Sequence, residues 1–419
     1  MKKIIVISYY FPPCAKAGAH RAYSMAEYLP RFGWQPIFIA PEKGYYGRLP
    51  RIDNALLERI ERHPIYRIPF FYPFNNEDST LLARGVRYLW ETILIPDGKI
   101  LWNREIKRKL RQIVIKHKPD VFFITATPFS SFLLAPYLKK MFRLPVVLDY
   151  RDPWAIDLNV GHRLLKARLN FYLEKRILLS ADLVTTASYY MIDYIRKILT
   201  SVAHNKQYFA FPYGYDGEFL RKEILPILPE KSEEKIKVVF AGTQVADLDP
   251  NIVLSGIKMA INNDKNAAEK LQIDCYGTIF GYTGEPTAII KKYSLTKYVY
   301  YNNFLPYLQF LKVLRKSSFL VQPLGVKTFN LVIFPTKFFD YLGVQRPILY
   351  IGGKGQVTEV IYKCNAGVCA LSDPYSISQA LIKLINSWDK KSWYSNSSEY
   401  SKLDRINIFN DFCEKLNKL

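Results

Sequence analysis

Short continuous apolar runs alternate with amphipathic segments along most of the chain. Ile4–Ile7, Trp34–Ala40 and Val121–Ile124 are dominated by branched and aromatic residues. Runs of this length and composition predict strands that are buried on both faces, as in a parallel sheet. The segment Arg21–Phe32 predicts a helix, which Gly33 is placed to end. This alternation of strand and helix predicts a Rossmann-type α/β domain.

The same alternation starts again in the second half of the chain. Lys237–Ala241, Leu271–Tyr276 and Phe319–Pro323 predict further buried strands. Residues 217–235 are charged and contain prolines, which is typical of a linker. We therefore predict an α/β protein with two Rossmann-type parallel-sheet domains, in the order 1–216, linker 217–235, 236–400, and a C-terminal helix over 401–419.

Residues 99–118 have the clearest helical periodicity in the chain. Trp102, Ile106, Leu110 and Ile113 recur at intervals of four and three residues, which places them on one face, and basic residues occupy the other faces. Two interpretations stay open. In the first, which we favour, the apolar face of the helix packs on the core and its basic side faces water. In the second, the helix lies on anionic lipid.

The segment 42–98 is less regular. It is rich in tyrosine, proline and arginine, and only Ser79–Ile95 has a helical pattern. An insertion at this point of an α/β domain has two interpretations. It shapes a pocket for an acceptor substrate, or it forms a surface lid without chemistry.

The stretch Phe334–Ile351 predicts a short helix followed by a buried strand. Pro335 suits the first helical turn, where its missing N–H is not needed, and Gly343 suits the residue just past the helix end. The apolar run Ile348–Ile351 then has the composition of a core strand.

Two polar residues of this helix indicate chemistry. Lys337 lies in the first turn, where the helix dipole disfavours a cation. A lysine is better explained there if an anion also binds, because helix N-termini present free N–H groups to phosphates. We therefore predict a phosphate at Thr336 and Lys337 and a hydroxyl-rich group at Asp340, one turn along. The alternative is a solvated lysine and an ordinary helix aspartate.

Charge is distributed unevenly over the 419 residues. The net charge is +22, and residues 1–215 carry 33 Lys and Arg against 17 Asp and Glu, a net of +16. The first half is therefore expected to meet an anionic partner: nucleic acid, an acidic substrate or an anionic membrane face. Alternatively, the charge serves solubility alone. Because no nucleic-acid-binding motif occurs, we do not expect a nucleic-acid partner.

Cysteine and histidine patterns argue against a disulfide framework and a metal site. The five cysteines are scattered without a CxxC pair, and the five histidines form no HxxxH or HExxH pattern. We therefore expect a reducing compartment, no metal and no other cofactor. No apolar window of about 18 residues occurs, so no membrane-spanning helix is expected.

Several motifs resemble those of one enzyme family. The pattern P-x-K-x-x-[ED]-Y followed by G-x-x-[KR]-P-I-L, here within Phe334–Ile351, is similar to the nucleotide-sugar site of family-4-like glycosyltransferases, whose GT-B fold has two Rossmann-type domains facing a cleft. The resemblance implies that Asp340 holds the donor ribose and that Thr336 and Lys337 lie near the diphosphate. It also implies that the C-terminal helix packs back on the first domain.

The first loop resembles the same family. The order F-P-P followed by G-A-x-R is similar to the family's first loop, where F-P-P precedes two glycines. The resemblance implies that Gly18 and Ala19 let the donor phosphates approach the backbone and that Arg21 lies on the acceptor side. Ala19 replaces the second glycine, and its Cβ crowds that approach.

Four further positions belong to motifs of this kind. The D-x-R-D-P-W run, residues 149–154, is similar to a family signature at the carboxyl end of a strand. It implies that Asp152 orients a sugar or acceptor hydroxyl as a catalytic residue, alongside Lys337, and that Arg151 pairs with an anion on the acceptor side. Gly242 and Thr243 follow a strand and expose backbone amides to the diphosphate, or form a plain turn.

The chain also departs from the family pattern. Many members carry a second acidic residue eight positions before Asp340, where this chain has Val332, and a basic pair that clamps the diphosphate after Gly242. The missing clamp weakens the expected stabilisation of a leaving diphosphate. Lys337, Arg346 or Lys327 could compensate.

The resemblance implies a retaining, metal-independent transferase that moves a sugar from a nucleotide-diphosphate sugar to a glycan acceptor. With the basic first half, it predicts a lipid-linked acceptor in surface-polysaccharide assembly and a cytoplasmic protein peripheral on the inner membrane face. The alternatives are a non-catalytic anion- or membrane-binding protein with a degenerate GT-B fold, and a sugar-nucleotide epimerase.

Overall fold

The chain forms two compact units. The computed structural model describes residues 1–14, 16–43, 57–58, 60–74, 80–154, 164–199, 206–228, 235–242, 248–303, 305–326, 332–390, 392–394 and 397–419. The first unit comprises Met1–Tyr213 together with Ile408–Leu419, and the second comprises Gly214–Asn407.

The first unit is built on a parallel sheet whose strands, within the described residues, are β1 (Lys2–Ser8), β2 (Trp34–Pro41), β3 (Ile65–Ile68), β4 (Val121–Ala126), β5 (Val146–Tyr150), β6 (Leu183–Thr186) and β7 (Gln207–Ala210). Their order is β3-β2-β1-β4-β5-β6-β7. In the register, Val6 pairs with Phe38 on one side and with Phe123 on the other. The predicted Rossmann-type sheet is confirmed, and the order reverses between β1 and β4.

Helices cover this sheet and explain the continuous apolar strands. Ile4, Ile5, Val6 and Ile7 have no exposed surface, as expected for a strand with both faces covered. The helices are α1 (Ala17–Tyr28), α2 (Leu81–Ile93), α3 (Leu101–His117), α4 (Ala135–Phe142), α5 (Leu164–Leu178) and α6 (Tyr189–Ile198).

Two predictions on helices need comment. The first helix begins at Ala17, four residues before the predicted Arg21, and a 3-10 segment at Leu29–Phe32 precedes Gly33, whose φ is 80°. In α3 the residues Trp102, Ile106, Leu110 and Ile113 are buried. The favoured interpretation of α3 as a core-packing helix is therefore confirmed, because its apolar face is not available to lipid.

The second unit has its own parallel sheet. Its strands within the described residues are β8 (Ile236–Gly242), β9 (Leu271–Gly277), β10 (Val299–Asn302), β11 (Phe319–Pro323), β12 (Ile348–Ile351) and β13 (Gly367–Ala370). The order is β10-β9-β8-β11-β12-β13, so it reverses between β8 and β11. Open α/β sheets bind ligands outside the carboxyl ends of the strands at such a reversal.

The helices of the second unit, with those at the end of the chain, are α7 (Gly217–Glu223), α8 (Pro250–Asn263), α9 (Lys265–Lys270), α10 (Pro286–Lys292), α11 (Tyr307–Lys316), α12 (Thr336–Gly343), α13 (Gln356–Lys363), α14 (Pro374–Ile385), α15 (Ser397–Ser401) and α16 (Arg405–Asn417). Val238, Ile257 and Leu381 lie in its hydrophobic core. In the first unit, Phe412 of α16 stacks on Phe211 with ring centroids 4.2 Å apart.

Gly343 has a different role from the one predicted. It is the last residue of α12, and the C-cap is Val344 in a right-handed conformation. A Cβ on Gly343 would lie 2.3 Å from Cδ1 of Leu220. A side chain at this position would therefore require Leu220 of α7 to shift, and the left-handed residue after the helix is Gln345, with a φ of 54°.

Candidate functional site

Helix α12 is fixed at the carboxyl edge of the second sheet. The hydroxyl of Tyr341 accepts a hydrogen bond of 3.1 Å from the backbone N–H of Ala241, near the end of β8. Phe338 and Phe339 on its inner face are buried and contact the ring of Phe334. This packing holds the short helix beside the point where the strand order reverses.

The first turn of α12 has the features predicted for an anion site. The helix is capped by Pro335 without a side-chain hydrogen bond, and Thr336 and Lys337 in its first turn are half-buried. The first N–H groups of a helix have no partner within the helix. Backbone donors, a hydroxyl and an ammonium group therefore lie together around one helix start.

Asp340 lies one turn further along and is half-buried. Its Oδ1 accepts a 2.7 Å hydrogen bond from the hydroxyl of Tyr307. Burial raises the pKa of Asp340 to about 6, while the Tyr307 hydrogen bond and the charges of Arg405 and Lys337 oppose that rise. A carboxylate has about four lone-pair positions, so one bond from Tyr307 leaves it able to accept ligand hydroxyls.

The ends of neighbouring strands add backbone groups to this edge. Gly242 ends β8, and its carbonyl accepts a 3.0 Å hydrogen bond from the Thr278 hydroxyl. The predicted partner residue Thr243 lies outside the described residues. The structure therefore brings Gly242 and α12 to the same edge through the Ala241–Tyr341 contact.

Sequence reasoning missed two features of this edge. Tyr307 begins α11 and is 33 positions from Asp340, so no local spacing links them. The run Gly352–Gly355 follows β12, and a Cβ on Gly352 would lie 2.5 Å from the carbonyl oxygen of Leu324. A glycine-rich run directly after a predicted strand is the signal that could have found this second feature.

The departures from the family pattern are also located. Val332 is buried, with 5% of its surface exposed. Arg346 donates a 2.8 Å hydrogen bond to the carbonyl of Ser318 and lies 5.3 Å from the Trp388 ring. It precedes β12 and so lies at the opposite edge of the sheet, which removes it as a candidate for the diphosphate clamp. Lys327 lies outside the described residues.

In the first unit, Arg151 joins three loops at the carboxyl edge. Its guanidinium donates to the backbone carbonyls of Ala126 and Thr127 and, at 3.4 Å, to the hydroxyl of Tyr213. A Cβ on Gly18 would lie 2.3 Å from its Nη1, so the arginine requires a glycine at that position. The structure therefore brings Gly18 and Arg151 together, as members of one packed cluster.

Arg21 is engaged inside the protein. Its Nε lies 3.2 Å from Oδ2 of Asp149, and both side chains are almost completely buried. The guanidinium also donates to the carbonyls of Phe211 and Pro212. Its hydrogen bonds thus connect α1, β5 and the loop after β7 behind the surface of the unit.

Asp149 is the centre of a buried polar network that sequence reasoning did not identify. Its carboxylate accepts hydrogen bonds from the hydroxyls of Thr125, at 2.7 Å, and Thr185, at 2.8 Å, as well as from Arg21. Thr125, Asp149 and Thr185 lie on the adjacent strands β4, β5 and β6, and Arg21 lies on α1. The network fixes the edge from which Arg151 and the half-buried Asp152 extend.

Ala19, the second small residue of the first-loop motif, lies in α1. It has no exposed surface. All five cysteines are free thiols. Among the described residues, no group of three His, Cys, Asp or Glu side chains is placed to hold a metal ion. In the same part of the chain, no helix combines the length and apolar character needed to cross a membrane.

Comparisons with known proteins give one family match and several similar structures. Residues 18–205 match the model of the family described as Glycosyltransferase Family 4. No curated protein matches the chain. Among solved structures, sucrose-phosphate synthase from Thermosynechococcus elongatus has a TM-score of 0.65 at 13% identity, with 100% of this chain and 99% of that chain covered.

Two other structures are similar over 100% of both chains. Alr3699/HepE from Anabaena, in complex with UDP-glucose, has a TM-score of 0.58 at 13% identity. The UDP-GlcNAc 2-epimerase from Methanocaldococcus jannaschii has a TM-score of 0.54 at 11% identity. At these identities the likeness shows the fold. Together they confirm the predicted GT-B fold for the whole chain, and residues 18–205 match Glycosyltransferase Family 4.

Proposed function

We propose that the chain transfers a sugar from a nucleotide-diphosphate sugar and that the second unit binds this donor. The observation that carries the proposal is the placement of Asp340 one turn from the start of α12, at the reversal of the strand order. Thr336 and Lys337 would meet the diphosphate, and Asp340 would accept hydrogen bonds from the ribose hydroxyls. The UDP-glucose bound to the Anabaena protein supports a donor of this class.

The chemistry would rest on positioning and on stabilising the departing diphosphate. The bond between the anomeric carbon and the diphosphate oxygen breaks, and a bond to the acceptor oxygen forms with the same anomeric configuration. The acceptor hydroxyl loses its proton to the leaving diphosphate. Negative charge then develops on the leaving diphosphate, where the first turn of α12 and the Lys337 ammonium would stabilise it. In this proposal neither a metal ion nor another cofactor is needed, so addition of EDTA should leave turnover unchanged.

The first unit would supply the acceptor side. Arg151 and Asp152 extend from the carboxyl end of β5, and the first half of the chain has a net charge of +16. We propose a glycan acceptor carried on a lipid phosphate, used in surface-polysaccharide assembly. The protein would then work in the cytoplasm, peripherally on the inner face of the membrane, where anionic lipid attracts basic surfaces.

The test is a panel of nucleotide sugars, with release of nucleoside diphosphate as the readout. We expect turnover with at least one donor and a loss of about 10- to 100-fold in donor affinity in Asp340→Asn, because the lost hydrogen bonds go to a charged group. Glu269→Gln is the matched control, since this exposed carboxylate pairs with Lys265 across one turn of α9. Unchanged donor affinity in Asp340→Asn would remove the proposed site.

A second candidate function is a sugar-nucleotide epimerase, favoured by the fold likeness to the UDP-GlcNAc 2-epimerase. An epimerase would convert the donor sugar without any acceptor and would release little nucleoside diphosphate. Product analysis in the same panel separates the two reactions. Donor binding without either product would instead support the degenerate, non-catalytic alternative.

A further inference from the structure

Helix α2 exposes its apolar residues to solvent. Leu82, Val86, Leu89 and Ile93 follow one another at intervals of four, three and four residues and are 48–80% exposed. At about 100° per residue these four side chains fall within an arc of about 60°. We call these four residues the α2 stripe. It contrasts with Trp102, Ile106, Leu110 and Ile113 of α3, which are buried.

The polar side of α2 faces the protein. Glu91, on the opposite side from the stripe, accepts a 2.8 Å hydrogen bond from the backbone N–H of Gly98 and a 3.1 Å hydrogen bond from the hydroxyl of Tyr72. It also forms an ion pair with Lys99. Amphipathic helices of globular proteins normally turn their apolar face to the core. In α2 this orientation is reversed: the apolar face is exposed to solvent and the polar face packs on the protein.

Basic residues extend this surface onto a neighbouring helix. Lys166 of α5 donates to the backbone carbonyls of Glu91 and Leu94, which ties α5 to the carboxyl end of α2. On α5, Leu169 and Tyr172 are exposed beside Arg176, which is also exposed. Aliphatic and aromatic groups flanked by arginines are the composition of helices that lie in a membrane interface.

Net charge favours an anionic bilayer over a second copy of the chain as the partner that covers the α2 stripe. Each copy carries +22, and its first 215 residues carry +16, so two such surfaces repel one another. An anionic bilayer attracts them, by about 1 kcal/mol for each Lys or Arg near its surface. We propose that the α2 stripe inserts into the interface of an anionic phospholipid bilayer and that the exposed basic residues of α5 contact the lipid headgroups.

This inference rests on the proposed function, because it specifies the membrane contact of an enzyme acting on a lipid-linked acceptor. It can fail independently, since vesicle binding requires neither donor nor turnover. Conversely, donor binding by the second unit can be measured without any lipid.

The experiment is flotation with phosphatidylcholine vesicles that contain phosphatidylglycerol, compared with phosphatidylcholine alone. The test variant is Leu89→Asp/Ile93→Asp. The matched control, Leu371→Asp/Tyr375→Asp, makes the same charge change at two exposed residues of the second unit. Leu89→Ser/Ile93→Ser removes the apolar groups without adding charge, and circular dichroism establishes that each variant is folded.

We expect the unaltered protein to float with anionic vesicles. Binding should weaken at least about tenfold in both α2 variants, because two apolar side chains no longer leave water, and should be unchanged in the control. Equal binding of test and control variants would overturn the proposal, as would no flotation of the unaltered protein. A dimer that dissociates in the α2 variants would also overturn it, because the occupant would then be a second copy.

Discussion

Protonation of Asp340 should control donor binding near pH 6. Its raised pKa of about 6 means that the carboxylate is ionised above this pH and neutral below it. Ribose hydroxyls donate to the ionised form. Donor affinity should therefore be highest well above pH 6 and should fall as the pH is lowered through 6.

The size of the effect follows from the ionised fraction. With a pKa of about 6, roughly nine-tenths of the carboxylates are ionised at pH 7 and roughly one-tenth at pH 5. The apparent dissociation constant equals the intrinsic one divided by the competent fraction, so it should rise about tenfold between these pH values.

The assay is isothermal titration calorimetry with UDP-glucose as the first probe, or the best binder of the nucleotide-sugar panel. The diphosphate of such a donor is esterified at both ends and keeps its charge between about pH 5 and pH 8. Asp340→Asn should bind weakly at every pH, and Glu269→Gln should retain the tenfold change. A tenfold change that persists in Asp340→Asn would refute the reasoning.

Three other substitutions test the surrounding contacts. Tyr307→Phe removes the 2.7 Å hydrogen bond that lowers the pKa of Asp340, so the midpoint of donor binding should move to higher pH in the same titration. Asp149→Asn leaves the buried guanidinium of Arg21 without its carboxylate partner, and should lower the free energy of unfolding in urea by about 3–5 kcal/mol. A decrease of less than about 1 kcal/mol would contradict the proposed importance of this network. Gly18→Ala places a Cβ 2.3 Å from Nη1 of Arg151 and should destabilise the first unit by about 1–3 kcal/mol in thermal unfolding, whereas an unchanged melting temperature would mean that the guanidinium moves freely.

Strands with continuous apolar runs could be predicted from the sequence, and the edge strand β3 could not. The run Ile4–Ile7 identifies β1 because a strand covered on both faces contains little else. By contrast, β3 lies at the sheet edge, is only partly buried and includes Tyr66 and Arg67. Its composition does not differ from that of the irregular segment around it, so the prediction for residues 42–98 missed it.

The donor-side residues could be proposed from a motif, but the partners of charged residues could not. Asp340 and Lys337 are close in sequence, whereas Tyr307 reaches Asp340 only through the folding of the second unit. For Arg21 the motif gave no sign that the guanidinium bonds to the protein's own backbone and to Asp149. A pattern identifies a charge, and only the fold determines which group neutralises it.

The same limit applies to the two amphipathic helices of the first unit. Both α2 and α3 have a clear apolar face, and the basic α3 was the candidate for lipid contact. The structure buries the apolar face of α3 and exposes that of α2. Periodicity defines a face, but the packing of neighbouring elements decides whether water or protein covers it.

A crystal structure with a bound nucleoside diphosphate, starting with UDP, GDP and dTDP, tests the central claim most directly. We predict ribose hydroxyls within hydrogen-bond distance of the Asp340 carboxylate and diphosphate oxygens at the first turn of α12, beside Thr336 and Lys337. A nucleotide bound elsewhere on the second unit, with this helix start untouched, would contradict the account.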